Sequence, residues 1–290
     1  MARVDCVHEG GHSLGESPVW SVQDEALYWV NIHGPTIHRL KPGTGELETW
    51  TLPDAVGSIG LRAKGGLVAA TKHGFHFFDT MTGKLTHIAD PERHLIDNRF
   101  NDGRCDRRGR FWSGTMNDSA REPTGSLYCL EPNLSVRTIR SGIIVPNSLA
   151  WSPDDKVMYF ADTHRNTIWA YDFDIDTGAI TNERVFGDSK ERIARPDGST
   201  VDADGCLWNA EYGGGRVVRY TPQGKIDRTI ELPVTQTTCC VFGGPRLETL
   251  YVTSARQRLT AEQLAAQPLA GALFAVEPGV SGLPEPGFAG

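Results

Sequence analysis

The sequence predicts an all-β fold, a six-bladed β-propeller with four-stranded blades. Three observations point there. Six strand-like runs share one flavour, LYWV (27–30), LVAAT (67–71), FWSGT (111–115), MYFADT (158–163), LWNAE (207–211) and LYVTS (250–254). They begin roughly 40–50 residues apart, the spacing of propeller blades. Each run follows a turn cluster rich in Gly, Pro, Asp or Asn, such as SPDDK (152–156) or DADG (202–205), the residues that hairpins require. Each is followed by a second strand-like segment, and most by a further turn and strand.

The units read in order as follows. The first runs ESPVWS, LYWV, TIHRL and GELETW; the second GSIGLR, LVAAT, GFHFFD and GKLTHIA. The third has NDGRCD, FWSGT and GSLYCL; the fourth NSLAWS, MYFADT, TIWAYDFD and GAITNERVF; the fifth DGSTVD, LWNAE, RVVRYT and GKIDRTIEL. The sixth supplies TCCVFG, LYVTS and GALFAV, then turns to EPGVSGLPEPGFAG, which is poor strand material. The N-terminal RVDCVHE (3–9) is a good strand without a partner in its own unit. It is expected to complete the last blade and close the ring, because an unpaired sheet edge invites aggregation. TAEQLAAQ (260–267) is the one plausible helix. Residues 1–290 are read as one propeller domain; a pair of β-sandwiches would leave the even spacing as coincidence.

Composition narrows the function. Apolar residues make up 39% of the 290, charged residues 22%, and the net charge is −7, an ordinary globular balance. No basic run recommends nucleic acid. No apolar stretch approaches the ~18 residues of a membrane span, and the first residues lack a secretory hydrophobic core. The six cysteines (Cys6, Cys105, Cys129, Cys206, Cys239, Cys240) show neither CxxC nor zinc spacing and read as buried reduced thiols in a cytoplasmic protein. The vicinal Cys239–Cys240 pair receives no role. The nine histidines are scattered and read as surface or satisfied core residues.

Aligning the units puts Glu16, Asn101, Asn147 and Asp197 at one position, with Gly57 and Thr238 completing the six. The first strand of each blade lines the central channel, so residues at its entrance converge on the axis. Asn-Asp-Gly and Asp-Gly are common turn sequences and would explain Asn101 or Asp197 singly. Glu16 and Asn147, before Ser-Pro and Ser-Leu, have no such account. Two carboxylates at close range repel, and a divalent cation removes that penalty. Carboxylate and amide oxygens suit calcium, magnesium or manganese. Gly57 and Thr238 are expected to leave room or to offer a weak ligand.

GESPVW, RFNDGRCDRRGRFWSGTM, PNSLAWSPDDKVMYFADT, RPDGSTVDADGCLWNAEYGGGRVVRY and CVFGGPRLETLYVTSA resemble the SMP-30/gluconolactonase family, which includes regucalcin and bacterial sugar lactonases. The resemblance runs from about Cys6 to about Val276 and looks nearest to bacterial aldono- and pentonolactonases. It implies a six-bladed propeller with one catalytic divalent ion, for which calcium, zinc, magnesium, manganese and iron(II) are all open. It places metal ligands at Glu16, Asn147 and Asp197 and substrate contacts at Arg99 and Asn101. An acidic substrate contact of some relatives falls on Ser119, within a loop (117–124) expected to overhang the mouth.

The implied activity is metal-dependent hydrolysis of a sugar-acid lactone to the free aldonic acid, a carboxylic ester hydrolysis. Asp197 serves as ligand and general base. The expected partner is a small sugar lactone, with no nucleic acid, membrane or obligate protein partner. The competing readings are a non-catalytic calcium-binding or interaction propeller and a phosphotriester hydrolase on the same ion. No GxSxG motif supports a serine nucleophile.

Overall fold

The turn clusters and alternating runs fold as read. The computed structural model describes residues 3–187 and 194–290. These residues form six four-stranded antiparallel sheets, spanning 15–51, 56–89, 98–143, 146–186, 195–231 and 237–276. We number these blades I to VI. The innermost strand of each blade touches that of the next, and Gly15–Ser21 of blade I touches Thr237–Gly243 of blade VI, so the ring is closed.

Closure is achieved as the sequence predicts. Blade VI draws only three strands from its own segment, and Val4–His8 supplies the fourth by pairing antiparallel with Leu273–Val276. Pairing this N-terminal strand with Leu273–Val276 leaves no open gap in the ring. Cys6 lies on this outermost strand and is exposed, a correction to the expectation that all six thiols are buried; the other five are, and none is in a disulfide. The short helix is Ala261–Ala266, begun by a capping box between Thr260 and Gln263. Among the described residues no helix is long and apolar enough to cross a membrane.

The hairpin clusters do more than turn the chain. In blade III, Asp106 accepts from the indole N–H of Trp112 at 2.7 Å and from Arg110 Nε at 2.6 Å. In blade V, Asp202 accepts from Trp208 at 2.8 Å and from Arg219 Nε at 2.7 Å. Each buried aspartate thus ties the first strand to the second and satisfies a buried tryptophan between blades.

The channel is shut at one end by the chain's own C-terminus. Gly282 N–H donates to Leu247 O at 2.8 Å, Phe288 N–H to Leu61 O at 2.7 Å and Ala289 N–H to Gly109 O at 3.0 Å. Between them Glu285 meets the half-buried Arg104 at 2.9 Å. This tail, too irregular to read as strand, crosses the ends of four inner strands. The opposite end of the channel stays open.

Candidate active site

Every inner strand carries a defect near the open end. Its pairing with the second strand slips by one residue between Glu16 and Val19, Val56 and Ser58, Phe100 and Gly103, Asn147 and Ala150, Pro196 and Ser199, and Thr237 and Cys240. A β-bulge leaves a residue unpaired and re-aims the side chains beside it. Glu16, Asn101, Asn147 and Asp197 all lie in or next to this bulge. The register position therefore falls inside the strand, not ahead of it as the sequence suggested. The flanking Ser17 and Ser148 adopt left-handed backbone, φ 47° and 60°. That conformation costs about 1 kcal/mol for a residue with a side chain. Bonds between blades offset it: Ser17 Oγ accepts from Ile59 N–H at 3.0 Å, and Ser148 Oγ donates to Asp197 O at 2.5 Å.

Glu16, Asn101, Asn147, Asp197 and Arg99 line one pocket at the open mouth, and all five are buried side chains. The other two register positions do not join them. Gly57 was expected to leave room, yet a Cβ there would lie 2.3 Å from Phe100 O, so its hydrogen permits close approach of blade III. Thr238 was expected as a weak ligand, but its hydroxyl donates to Gly15 O at 2.5 Å. Both serve the ring.

The two asparagines differ. Asn147 donates through Nδ2 to Thr163 Oγ1 at 2.7 Å, and Thr163 donates onward to Pro196 O at 2.7 Å. That relay fixes the amide with its oxygen turned from Thr163. Asn101 donates to Pro146 O at 2.9 Å, and its oxygen accepts from Arg99 Nη1 at 2.8 Å. Asn101 therefore orients Arg99, whereas Asn147 keeps its oxygen for the pocket apart from a 3.3 Å contact with Asn101 Nδ2.

The carboxylates lack a positive neighbour close enough to neutralise them. Glu16 is pushed up to about 8, first by burial and then by the charge of Asp102, with the Ser17 N–H and Arg99 opposing. Asp197 is raised well above its ordinary value by burial, then by Glu16 and Asp102. Among the described residues neither forms a salt bridge, and Arg99 spends its Nε on Asp118 at 3.0 Å. No three His, Cys, Asp or Glu side chains among the described residues gather as an ion site by themselves. The donor set here is mixed: two buried carboxylates and the Asn147 amide oxygen. The fold by itself opposes ionisation of both carboxyls, and a hard divalent cation is the partner that would let these oxygen donors carry their charge.

Residues 14–256 match the SMP-30/Gluconolactonase/LRE-like region. The chain belongs to this family. A 6-deoxy-6-sulfogluconolactonase of Pseudomonas putida is 38% identical over 285 residues, covering 98% of each chain. Regucalcin of Gallus gallus is 37% identical over 295 residues, covering 99% of each. A solved calcium-binding regucalcin from Agrobacterium tumefaciens superposes with a TM-score of 0.94 at 34% identity, covering 99% of this chain and 97% of that one.

Around this pocket stand residues that the repeat does not mark. Ser119, mapped to an acidic substrate contact, instead donates through its N–H and hydroxyl to Asn117 Oδ1 in a local turn. Its neighbour Asp118 reaches Arg99. Burial alone would raise the Asp118 carboxyl, but His33, Arg99 and Arg121 hold it well below its ordinary value. The loop 117–124 does reach the mouth, through Arg121. His164, read only as surface or core, lines the mouth as well, as do Arg195, Tyr212 and Arg258. They lie outside the aligned positions, on loops and strand ends with no repeat to mark them.

Proposed function

We propose that this protein hydrolyses a sugar-acid lactone to the open aldonic acid, with Glu16, Asn147 and Asp197 holding one divalent cation. The observation that carries the reading is the pair of buried carboxylates, Glu16 and Asp197, facing a mouth that also holds the oriented guanidinium of Arg99. Family membership and the lactonase relative support the substrate class; that relative's name also gives it a sulfonated gluconolactone.

A bound cation would supply Lewis-acid polarisation of the lactone carbonyl and charge compensation for the two carboxylates. The chain's own residues do the rest. Arg99, whose Nη1 is held by Phe100 O at 3.0 Å and by Asn101 and whose Nε is held by Asp118, keeps Nη2 for the carbonyl or a ring hydroxyl without rotational loss. Asp197 takes the proton of the attacking water and returns it to the ring oxygen as the ester bond breaks. Glu16 remains a ligand, because Ser17 N–H donates to its Oε2 at 3.0 Å and fixes the carboxylate. Five buried cysteines without disulfides accord with work in a reducing, cytoplasmic setting.

The description of the Agrobacterium relative as calcium-binding favours one second reading, a calcium-binding propeller without turnover. The test is acid release from a panel of aldonolactones, with a phosphotriester as comparison, on protein stripped by chelator and then resupplied with calcium, magnesium, manganese or zinc. Lactone turnover restored by metal, and lowered at least about 100-fold by Glu16→Ala and by Asp197→Ala, supports the lactonase. Metal binding without turnover selects the second reading.

A further inference from the structure

On an acidic chain, the rim of this pocket is basic. The net charge of the protein is −7. Yet four arginines line the one mouth: Arg99 deep, with Arg121, Arg195 and Arg258 around it. The three outer ones come from different blades. Arg121 belongs to the loop after the second strand of blade III, Arg195 opens the inner strand of blade V, and Arg258 follows the strand Thr249–Ser254 of blade VI. Three unrelated segments thus bring guanidinium groups to one opening.

Only one of the three outer groups has an acidic partner among the described residues. Arg121 shares Asp118 with Arg99, at 3.5 Å. Among the described residues no carboxylate pairs with Arg195 or Arg258, and both are exposed. The pocket's own carboxylates, Glu16 and Asp197, sit at its floor and are claimed by the proposed cation. The arginines sense one another. Burial, then Arg99, and further down Arg258 lower Arg121, while burial followed by Arg195, Arg121 and Arg258 lowers His164. Holding like charges together around an open cavity costs energy that an anionic guest returns. Two of the three, Arg121 and Arg258, adopt left-handed backbone at φ 56° and 64°, a strained conformation for side chains of this size.

We propose that Arg121, Arg195 and Arg258 form a subsite for an oxyanion, so that the preferred lactone carries a fixed negative charge, as carboxylate, sulfonate or phosphate, away from its ester carbonyl. This rests on the lactonase reading and narrows its substrate class. A planar or tetrahedral oxyanion accepts several N–H bonds from guanidinium forks at once, which a neutral sugar hydroxyl does not. The reacting ester would lie at the floor, near Arg99 and Asp197, while the charge anchors the far end at the rim.

The experiment compares glucono-1,5-lactone with lactones bearing the three anions at the opposite carbon: glucarolactone, 6-deoxy-6-sulfogluconolactone and 6-phosphogluconolactone. The full chain is used with saturating manganese at low salt. At least one charged lactone is expected to exceed the neutral one by about tenfold in kcat/KM, through KM. The ranking of the three identifies the anion. The ratio of charged to neutral should fall toward one in 0.5 M salt, as screening demands, and should drop about tenfold in the double variant R195Q/R258Q. A neutral lactone preferred over all three, or a ratio unmoved by salt and by both substitutions, overturns the subsite while leaving the lactonase standing. If no lactone is turned over, the lactonase reading fails, and calorimetry decides the subsite alone. 6-Phosphogluconate or 6-deoxy-6-sulfogluconate binding at least about tenfold tighter than gluconate upholds it, and equal affinities refute it.

Discussion

Asn101 stands between the two halves of the site, donating from Nδ2 to Asn147 Oδ1 at 3.3 Å while its own oxygen accepts Arg99 Nη1 at 2.8 Å. One amide thereby links the residue that would hold a cation to the residue that would meet substrate. Its orientation is fixed at both ends, because an amide flipped about its axis would aim an N–H at the guanidinium. The separation of roles between Arg99 and Asn147 follows from this bridge.

Arg99→Ala is expected to lower kcat/KM for lactone by about 100-fold, since it removes a charged donor to substrate. The concentration of metal giving half activity should change by less than about threefold, because Arg99 touches no candidate ligand except through Asn101. Asn147→Ala should instead shift the metal requirement by about tenfold or more, as loss of one oxygen donor demands. Metal titrations of activity in the two variants check both. A large shift in metal requirement for Arg99→Ala would contradict the assigned roles.

Stripped of metal, the protein should become less stable as the solution turns alkaline. The Glu16 carboxyl is raised from its ordinary range to about 8 in the fold. A raised folded pKa gives stability that is complete below the unfolded value and lost as pH climbs through the folded one. In chelator, the melting temperature should therefore fall by about 5 °C between pH 6.5 and pH 8. Excess calcium or manganese should abolish the fall, and Glu16→Gln should flatten it without metal. A melting profile in chelator that is flat over this interval would remove the argument from buried, uncompensated charge.

The ring was legible because its signals repeat. Turn clusters and β-branched or aromatic runs recur at blade spacing, and the orphan strand at residues 3–9 had one unsatisfied edge to fill. The meeting of Glu16, Asn101, Asn147 and Asp197 in one pocket was legible for the same reason, since rotational equivalence turns a shared position into a shared place. What repetition does not encode was missed. The bulges are invisible in composition, so the register residues were set one step outside their strands. The need for Gly57 comes from the backbone of another blade, about forty residues away in sequence. At Ser119 the acidic contact of some relatives has no counterpart: a turn commits its hydroxyl to Asn117, and its neighbour Asp118 pairs with Arg99. The rim arginines occupy loops where no two blades agree.

Acid should weaken the junction between the closing N-terminal strand and blade I. His8 of the closing strand, His12 and His38 crowd together, with ring centroids of His12 and His38 4.7 Å apart. His12 accepts from the Trp29 indole at 2.9 Å, and His38 lies between Thr36 and Thr49 hydroxyls. Burial and then mutual repulsion lower His12 to about 3 and His38 to about 4. Both stay neutral in the fold while the unfolded chain protonates near 6.5, so stability is full above that value and falls as pH drops below it. Between pH 6.5 and 5 the loss should be about 2 kcal/mol per histidine. Urea denaturation with metal present, at pH 7 and pH 5, measures it. His38→Gln should remove roughly half of the difference, and an unchanged difference would assign it to other groups.

The far end of the channel offers the last test. Arg104 reaches across the channel to Thr200 Oγ1 at 3.1 Å and to Glu285 at 2.9 Å, and both members of the ion pair are nearly enclosed. Breaking such a pair leaves an uncompensated buried charge, which costs about 3–5 kcal/mol. Glu285→Ala should therefore destabilise the protein by about 3 kcal/mol in chemical denaturation, whereas Arg104→Met with Glu285→Leu, which removes both charges and keeps the volume, should cost much less. Because Glu285 lies in the tail that seals the channel, and not at the mouth, Glu285→Ala should alter KM for lactone by less than about twofold at temperatures where the fold persists. A single variant as stable as the parent would show that the tail is held by its backbone bonds to Leu61, Gly109 and Leu247 alone.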